Sequence, residues 1–200
     1  LVEPFAIGSH CTGRGRVVED DVVFILGTGT IGSIILQTCK AKGCKPVICC
    51  DISDSSLERA KEYGADYVIN SKTQDVVAEI QKITDGHGCT VAFDSACFPG
   101  SLTMCLQPGI LCNAGRMVPM GFCTEKEGIT QAMINQRELD IIGSRMSQDA
   151  FEPTIARMEK GEYITEGIAT TFIKFSEIDK VFHLMDHPDE SAKKMVILFD

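Results

Sequence analysis

The run Gly27-Thr28-Gly29-Thr30-Ile31-Gly32 follows directly on the apolar stretch Val22-Val23-Phe24-Ile25-Leu26 and leads into Ile34-Ile35-Leu36-Gln37. A buried strand, a glycine turn and a helix in that order form the arrangement that receives a dinucleotide pyrophosphate. The first glycine permits a tight turn, the second lets backbone N–H groups approach phosphates, and the third lets helix pack closely on strand. The phosphates then meet a helix N-terminus, where unpaired N–H groups and the helix dipole favour negative charge. Gly27, Gly29, Thr30 and Gly32 are therefore candidate cofactor-binding residues, and Ile31 among them is either a further one or ordinary helix-start packing.

A second apolar run, Lys45-Pro46-Val47-Ile48-Cys49-Cys50, ends at Asp51, which stands 19 positions after Gly32. An acidic residue about 20 positions beyond the glycine turn accepts hydrogen bonds from the adenosine ribose and repels a 2′-phosphate. Asp51 thus argues for NAD over NADP. The competing reading is a turn residue, with Ser53 or Asp54 capping the next helix.

Four further apolar runs recur with helical spacers between them: Tyr67–Ile69, Val91–Phe93, Arg116–Met120 and Leu139–Ile142. Continuous apolar strands alternating with helices predict a parallel sheet covered on both faces. With right-handed crossovers and the glycine turn after the first strand, the expected fold is α/β, a doubly wound six-stranded parallel Rossmann sheet. Ser55-x-x-Glu58 has capping-box spacing, and Gly64 follows the last turn of that helix in the manner of a C-terminal stop. The cleft is expected beyond the strand C-termini, at Gly27–Gly32, Asp51, Asp94–Cys97 and Met120–Phe122. After about residue 163 the pattern changes. Thr170–Phe175 alternates as a strand, Ser176-Glu177-Ile178 opens a helix running to Asp186, and Lys194–Leu198 reads as a final strand.

With 44% hydrophobic residues, the 200-residue chain can bury a sizeable core. Its net charge of −9 and pI near 4.9 disfavour nucleic acid as a partner, since phosphate neutralisation needs a basic surface. No apolar stretch approaches the roughly 18 residues that cross a bilayer, and Leu1-Val2-Glu3-Pro4 does not resemble a signal peptide. The ten cysteines include no C-x-x-C pair, and several fall inside apolar runs as small hydrophobes do. Reduced cysteines in a cytoplasmic protein are the expectation.

Leu1-Val2-Glu3-Pro4-Phe5-Ala6, the Gly27–Gly32 turn, Asp51, the stretch Glu58–Asp66 and the closing Lys193-Lys194-Met195-Val196-Ile197-Leu198 together resemble the zinc-dependent medium-chain dehydrogenase/reductase family. Its sorbitol, idonate, galactonate and threonine dehydrogenase branch is the most similar. The resemblance implies NAD-linked oxidation of a secondary alcohol, a polyol or sugar acid, to a ketone. It covers only the cofactor-binding part. The family's N-terminal catalytic domain carries a cysteine and a His-Glu pair around zinc, and no Gly-His-Glu occurs here. The resemblance therefore implies an excised cofactor domain with zinc's main ligands elsewhere. It implies an interdomain segment over residues 1–20, an NAD-binding domain over 21–162, and over 163–200 a C-terminal extension whose strands pack on the absent domain.

Carried over residue by residue, the resemblance places Glu3 near the catalytic zinc and substrate hydroxyls, against the alternative of a solvated carboxylate. It sets Thr12 against the nicotinamide, with loop capping as the alternative. It implies that backbone groups of Met120, Gly121 and Phe122 line the nicotinamide at the end of the fifth strand, against the alternative of a strand-to-loop exit needing glycine; Cys97, with no histidine tied to it by a local signature, reads as cleft lining. Ser144 and Arg145 follow the sixth strand, where relatives contact cofactor or substrate. Ser56 departs from the branch, which carries a basic residue near the adenine. Family members pair through the sixth strand, so a homo-oligomer through Leu139–Ser144 is expected. His183 and His187 have the spacing of helical metal ligands but no third partner, so no metal site is assigned.

A stand-alone dinucleotide-binding or redox-sensing module is the rival from another class. Short-chain dehydrogenases need Tyr-x-x-x-Lys, and none of Tyr63, Tyr67 or Tyr163 has lysine four positions on. Asp51 and Glu3-Pro4 disfavour the zinc-free quinone reductases.

Overall fold

The computed structural model describes residues 1–187 and 194–199; Pro188 beside the histidine pair and Lys193 of the closing motif lie outside the described residues. Residues 2–163 form one compact unit. It opens with helix α1 (Val2–Arg14) and strand β1 (Val23–Leu26). There follow α2 (Thr30–Ala41), β2 (Val47–Asp51), α3 (Asp54–Glu62), β3 (Tyr67–Asn70), α4 (Val76–Ile83) and β4 (Cys89–Asp94). The alternation closes with α5 (Ser101–Cys105), β5 (Leu111–Pro119), α6 (Gln131–Asn135), β6 (Asp140–Ile141) and α7 (Phe151–Glu159).

All six strands pair in parallel in the order β3-β2-β1-β4-β5-β6, the doubly wound topology expected from the apolar runs. Alternate strand residues Phe24, Leu26, Ile48, Cys50 and Ala92 join Ile69, Ile80, Leu106 and Ile110 in one apolar cluster. The intervening Val23, Ile25, Val47, Cys49, Val91 and Phe93 are also fully buried. Both faces of the sheet are therefore covered, which is why the central strands read as continuous apolar runs rather than alternating ones. Cysteine serves here as a small core residue: seven of the ten, Cys11, Cys39, Cys44, Cys49, Cys50, Cys89 and Cys105, have no exposure at all. Helix α1 covers most of the stretch read as an interdomain segment and belongs to the same compact unit as the sheet. Gly8 lets it cross α2 closely, since a Cβ there would lie 2.5 Å from Ile34 Cγ2.

One local expectation is corrected. Helix α3 starts at Asp54, so its N-cap is Ser53, and Ser55 lies within the first turn. Ser55 Oγ pairs with Ser53 Oγ at 3.0 Å, while Glu58 accepts from Lys61 Nζ at 2.8 Å, so no capping box forms. The Asp51 carboxylate, which takes the Ser53 N–H at 3.0 Å, fixes the entry to the helix instead.

The second unit comprises Leu1 and the chain from Ile164 onward. It holds β7 (Thr171–Lys174), a short 3-10 turn over Phe175–Glu177, α8 (Asp179–Asp186) and β8 (Met195–Leu198). Strands β7 and β8 pair in parallel from Thr171↔Met195 to Lys174↔Leu198. Phe175 and Phe199 stack with ring centroids 4.9 Å apart.

Candidate cofactor-binding site

Sheet register assembles the site. Leu26 lies level with Cys50 on one side and Asp94 on the other, so Gly27, Asp51 and Ser95 emerge together at the C-terminal edge. This is where the strand order reverses, between β1 and β4, and in open α/β sheets such a switch point leaves a crevice.

The three glycines have three different physical reasons. Gly27 has φ +86°, and a Cβ there would lie 2.8 Å from the Ala96 backbone nitrogen. At Gly32 a Cβ would fall 1.9 Å from the Gly27 carbonyl oxygen, so only glycine allows α2 to start this close to the strand. Gly29 is the opposite case: nothing lies within 4 Å of where its Cβ would be. The space above it is open. Gly29 is also the N-cap of α2 and has no side-chain cap, whereas Asp75 caps α4 by accepting the Ala78 N–H. The first-turn amides of α2, which have no intrahelical acceptors, therefore face that open space with the positive end of the helix dipole. An anionic group fits there.

Asp51 closes one side. Its Oδ2 accepts from Thr28 N at 2.7 Å and from Thr28 Oγ1 at 2.9 Å. A cavity of about 380 Å³ runs along this side, bordered by Gly27, Gly29, Asp51, Ile52, Ser71 and Phe98. A second, of about 240 Å³, is lined by Ile7, Ile31, Met120, Phe122, Ser144 and Arg145 among others. Ser95 borders both, and its hydroxyl donates to the Gly27 carbonyl at 2.7 Å. The two cavities flank the glycine turn, as the two halves of a dinucleotide require. Within the second, the Arg145 guanidinium carbon sits 5.4 Å from the centre of the Phe122 ring, a cation–π contact. The Ser144 hydroxyl there is buried without a hydrogen-bond partner.

The loop after β4 is shaped by Asp94, which is buried and accepts from Ser101 Oγ at 2.5 Å, Cys97 N at 3.1 Å and Ala96 N at 3.2 Å. These bonds hold Cys97 at φ +53°, a backbone conformation that a non-glycine residue rarely adopts unaided. Its sulfur presses on Gly121, where a Cβ would lie only 2.1 Å away. Cys97 and Gly121 line a third cavity of about 270 Å³ with Cys123 and Glu127. Partial burial works against charging Glu127, but hydrogen bonds from the Thr103 hydroxyl and nearby amides outweigh it and hold the carboxyl below its ordinary range.

Of the residues singled out in the sequence, Gly27, Gly29 and Asp51 border the first cavity. Ile31, Met120, Gly121, Phe122, Ser144 and Arg145 border the second. Cys97 lines the third, Thr30 opens α2, and Glu3 is exposed in the first turn of α1. Thr12 is not brought to the crevice: it is fully buried, and its hydroxyl donates back to the Ser9 carbonyl at 3.0 Å. Helical phase presents Ile7 instead. Ser56 is buried and accepts from Arg59 Nη2 at 3.4 Å. Ile7, Ile52, Ser71 and Phe98 border the cavities without a local sequence signal, while Thr28 and Ser95 fall inside the expected cleft segments Gly27–Gly32 and Asp94–Cys97 without an expected role of their own. Only the proximity of Ser95 to Asp94 at a strand end signalled it.

Among the described residues no three His, Cys, Asp or Glu side chains converge on a point where they could share a metal ion. His183 and His187 lie with ring centroids 4.9 Å apart and are exposed, with no third donor among the described residues. The described residues therefore do not provide a zinc centre.

The zinc-binding dehydrogenase family model matches residues 30–160. The starvation-sensing protein RspB of Escherichia coli is 33% identical over 201 residues, covering 100% of this chain and 58% of the relative. The (R,R)-butanediol dehydrogenase of Neisseria gonorrhoeae is 30% identical, covering 98% of this chain and 55% of its own length. The chain thus spans little more than half the length of these relatives. A crystal structure of the Escherichia coli rspB alcohol dehydrogenase complexed with NADH superposes with a TM-score of 0.90 at 32% identity. That superposition covers 99% of this chain and 58% of the other.

Proposed function

We propose that this chain, which belongs to the zinc-binding dehydrogenase family, is the NAD-binding part of an enzyme that oxidises a secondary alcohol or polyol to a ketone. One observation carries the reading. An uncapped helix N-terminus and an unobstructed glycine sit between two cavities, with a carboxylate at the mouth of one. Kinship with relatives named as butanediol and sorbitol dehydrogenases supports the reaction class.

NAD, when bound, supplies the hydride acceptor. The residues of this chain hold and orient it. The α2 amides at Thr30, Ile31 and Gly32 take the pyrophosphate, and Asp51 accepts from the adenosine ribose. Ile7, Ile31 and Met120 offer an apolar wall that orients the nicotinamide and keeps water from its face. The Ser144 hydroxyl, buried and without a partner, is a donor available to the cofactor's carboxamide. Residues from about 163 onward are, in this reading, the extension that packs on the remainder of the dehydrogenase. The exposure of Phe172, Phe182, Met185, Leu198 and Phe199 supports that. Two copies joining through the exposed edge strand β6 is part of the same proposal, checked by analytical ultracentrifugation.

Calorimetric titration with NADH and NADPH tests the reading. Saturable binding of NADH, weaker binding of NADPH and no alcohol oxidation by this chain alone are expected. Failure to take up NADH, or a preference for NADPH, would overturn it.

A further inference from the structure

The Asp51 carboxylate is not free to turn. Of its roughly four acceptor directions, two on Oδ2 are taken by the Thr28 N–H and the Thr28 hydroxyl, and one on Oδ1 by the Ser53 N–H. Thr28 is itself immobilised. It is 1% exposed, and its carbonyl accepts from the buried Ser33 hydroxyl at 3.0 Å. The middle residue of the glycine turn and the acidic residue of the next strand are thus one hydrogen-bonded unit across 23 positions of sequence. Asp51 remains half-exposed at the edge of the first cavity, while Thr28 cannot touch anything in it. One acceptor direction, on Oδ1, is left for a ligand.

We infer that Thr28 is a positioning residue for dinucleotide choice: its hydroxyl pins Asp51 Oδ2 so that Oδ1 is presented to a ribose hydroxyl and the negative charge stays where a 2′-phosphate would have to sit. The inference rests on the NAD reading above and adds to it the residue that sets the selectivity of the acidic group. Without the hydroxyl, the carboxylate keeps only backbone donors and can rotate towards solvent. NADH then loses its preformed acceptor, and NADPH loses some of the repulsion.

The test uses the whole chain and compares dissociation constants for NADH and NADPH by fluorescence titration. Thr28→Val removes the hydroxyl at nearly constant shape, Thr28→Ala removes it without adding bulk should valine fail to fold, and Thr28→Ser restores it. The NADH-over-NADPH affinity ratio should fall about tenfold in the valine or alanine variant, the scale of a charge-assisted hydrogen bond partly lost. It should return to within about twofold in the serine variant, as the same bond is remade. Equal weakening of both dinucleotides would mark Thr28 as merely structural and overturn the inference, as would an unchanged ratio. If the unaltered chain bound neither dinucleotide, the NAD reading would fall and this inference with it. If the unaltered chain preferred NADH but the ratio did not move, only the inference would fall.

Discussion

Gly29 and Gly32 are three positions apart in one motif, yet substituting each has a different consequence. Gly29 has φ −65° and open space around it, so alanine fits the backbone and shortens the list of unfolded conformations. Gly29→Ala is expected to leave stability the same or raise it by up to about 1 kcal/mol, while weakening NADH at least about tenfold because the methyl group occupies the phosphate approach. Gly32→Ala drives a carbon into the Gly27 carbonyl and should lower stability by about 1–3 kcal/mol, as overpacking does. Urea unfolding and NADH titration on the same samples separate the two effects. The glycine spacing and Asp51 were legible in the sequence because they obey a short-range rule. Thr28 and Ser95 were not, since their partners come from neighbouring strands 23 and 68 positions away. The resemblance sets the Thr12 hydroxyl against the nicotinamide, but that hydroxyl turns back onto the Ser9 carbonyl, and a resemblance does not fix which face of α1 meets the crevice.

At the scale of elements, the six strands and their order could be read from apolar runs, and what braces them could not. Asp21 is buried and accepts from Arg116 on β5, from Thr90 Oγ1 on β4 at 2.6 Å and from Val18 N at 2.8 Å. Arg116 in turn donates to the Gly15 and Arg16 carbonyls at 2.8 Å, tying the segment after α1 to two strands. Asp21→Ala leaves a mostly buried guanidinium and an amide without their acceptor, and should lower stability by about 3–5 kcal/mol, read from the urea midpoint. Nothing in Glu19-Asp20-Asp21 marks the third acid over the second, because its principal partner lies 95 positions along the chain. The same limit explains α3. A capping-box spacing is one local signal, and it lost to another, the bond from Ser53 N to the Asp51 carboxylate two positions back, which depends on where β2 ends.

For the whole molecule, five of the buried thiols make stability depend on pH in the same direction. Burial pushes the Cys50 thiol up to about 12 and holds Cys11, Cys49, Cys89 and Cys105 well above their ordinary value. In the folded chain these groups stay protonated where the unfolded chain would release their protons. Their contribution is therefore complete below the unfolded thiol value of about 8.5 and is lost as pH rises towards the folded values. Each thiol costs about 1.4 kcal/mol per pH unit above that point. Under reducing conditions the urea midpoint should hold to about pH 8 and fall steeply by about pH 9.5. A flat profile would contradict the burial.

Residue order is enough to specify a parallel sheet covered on both faces, with a glycine turn ahead of a helix and an acid on the next strand. Apolar continuity and short spacings are properties of the chain as written. It takes the folded chain to show that Thr28 holds Asp51, that Ile7 rather than Thr12 reaches the crevice, and that Asp94 props the loop carrying Cys97. Those pairings depend on strand register and helix phase, which fix contacts between residues whose distance along the chain carries no information about their distance in space.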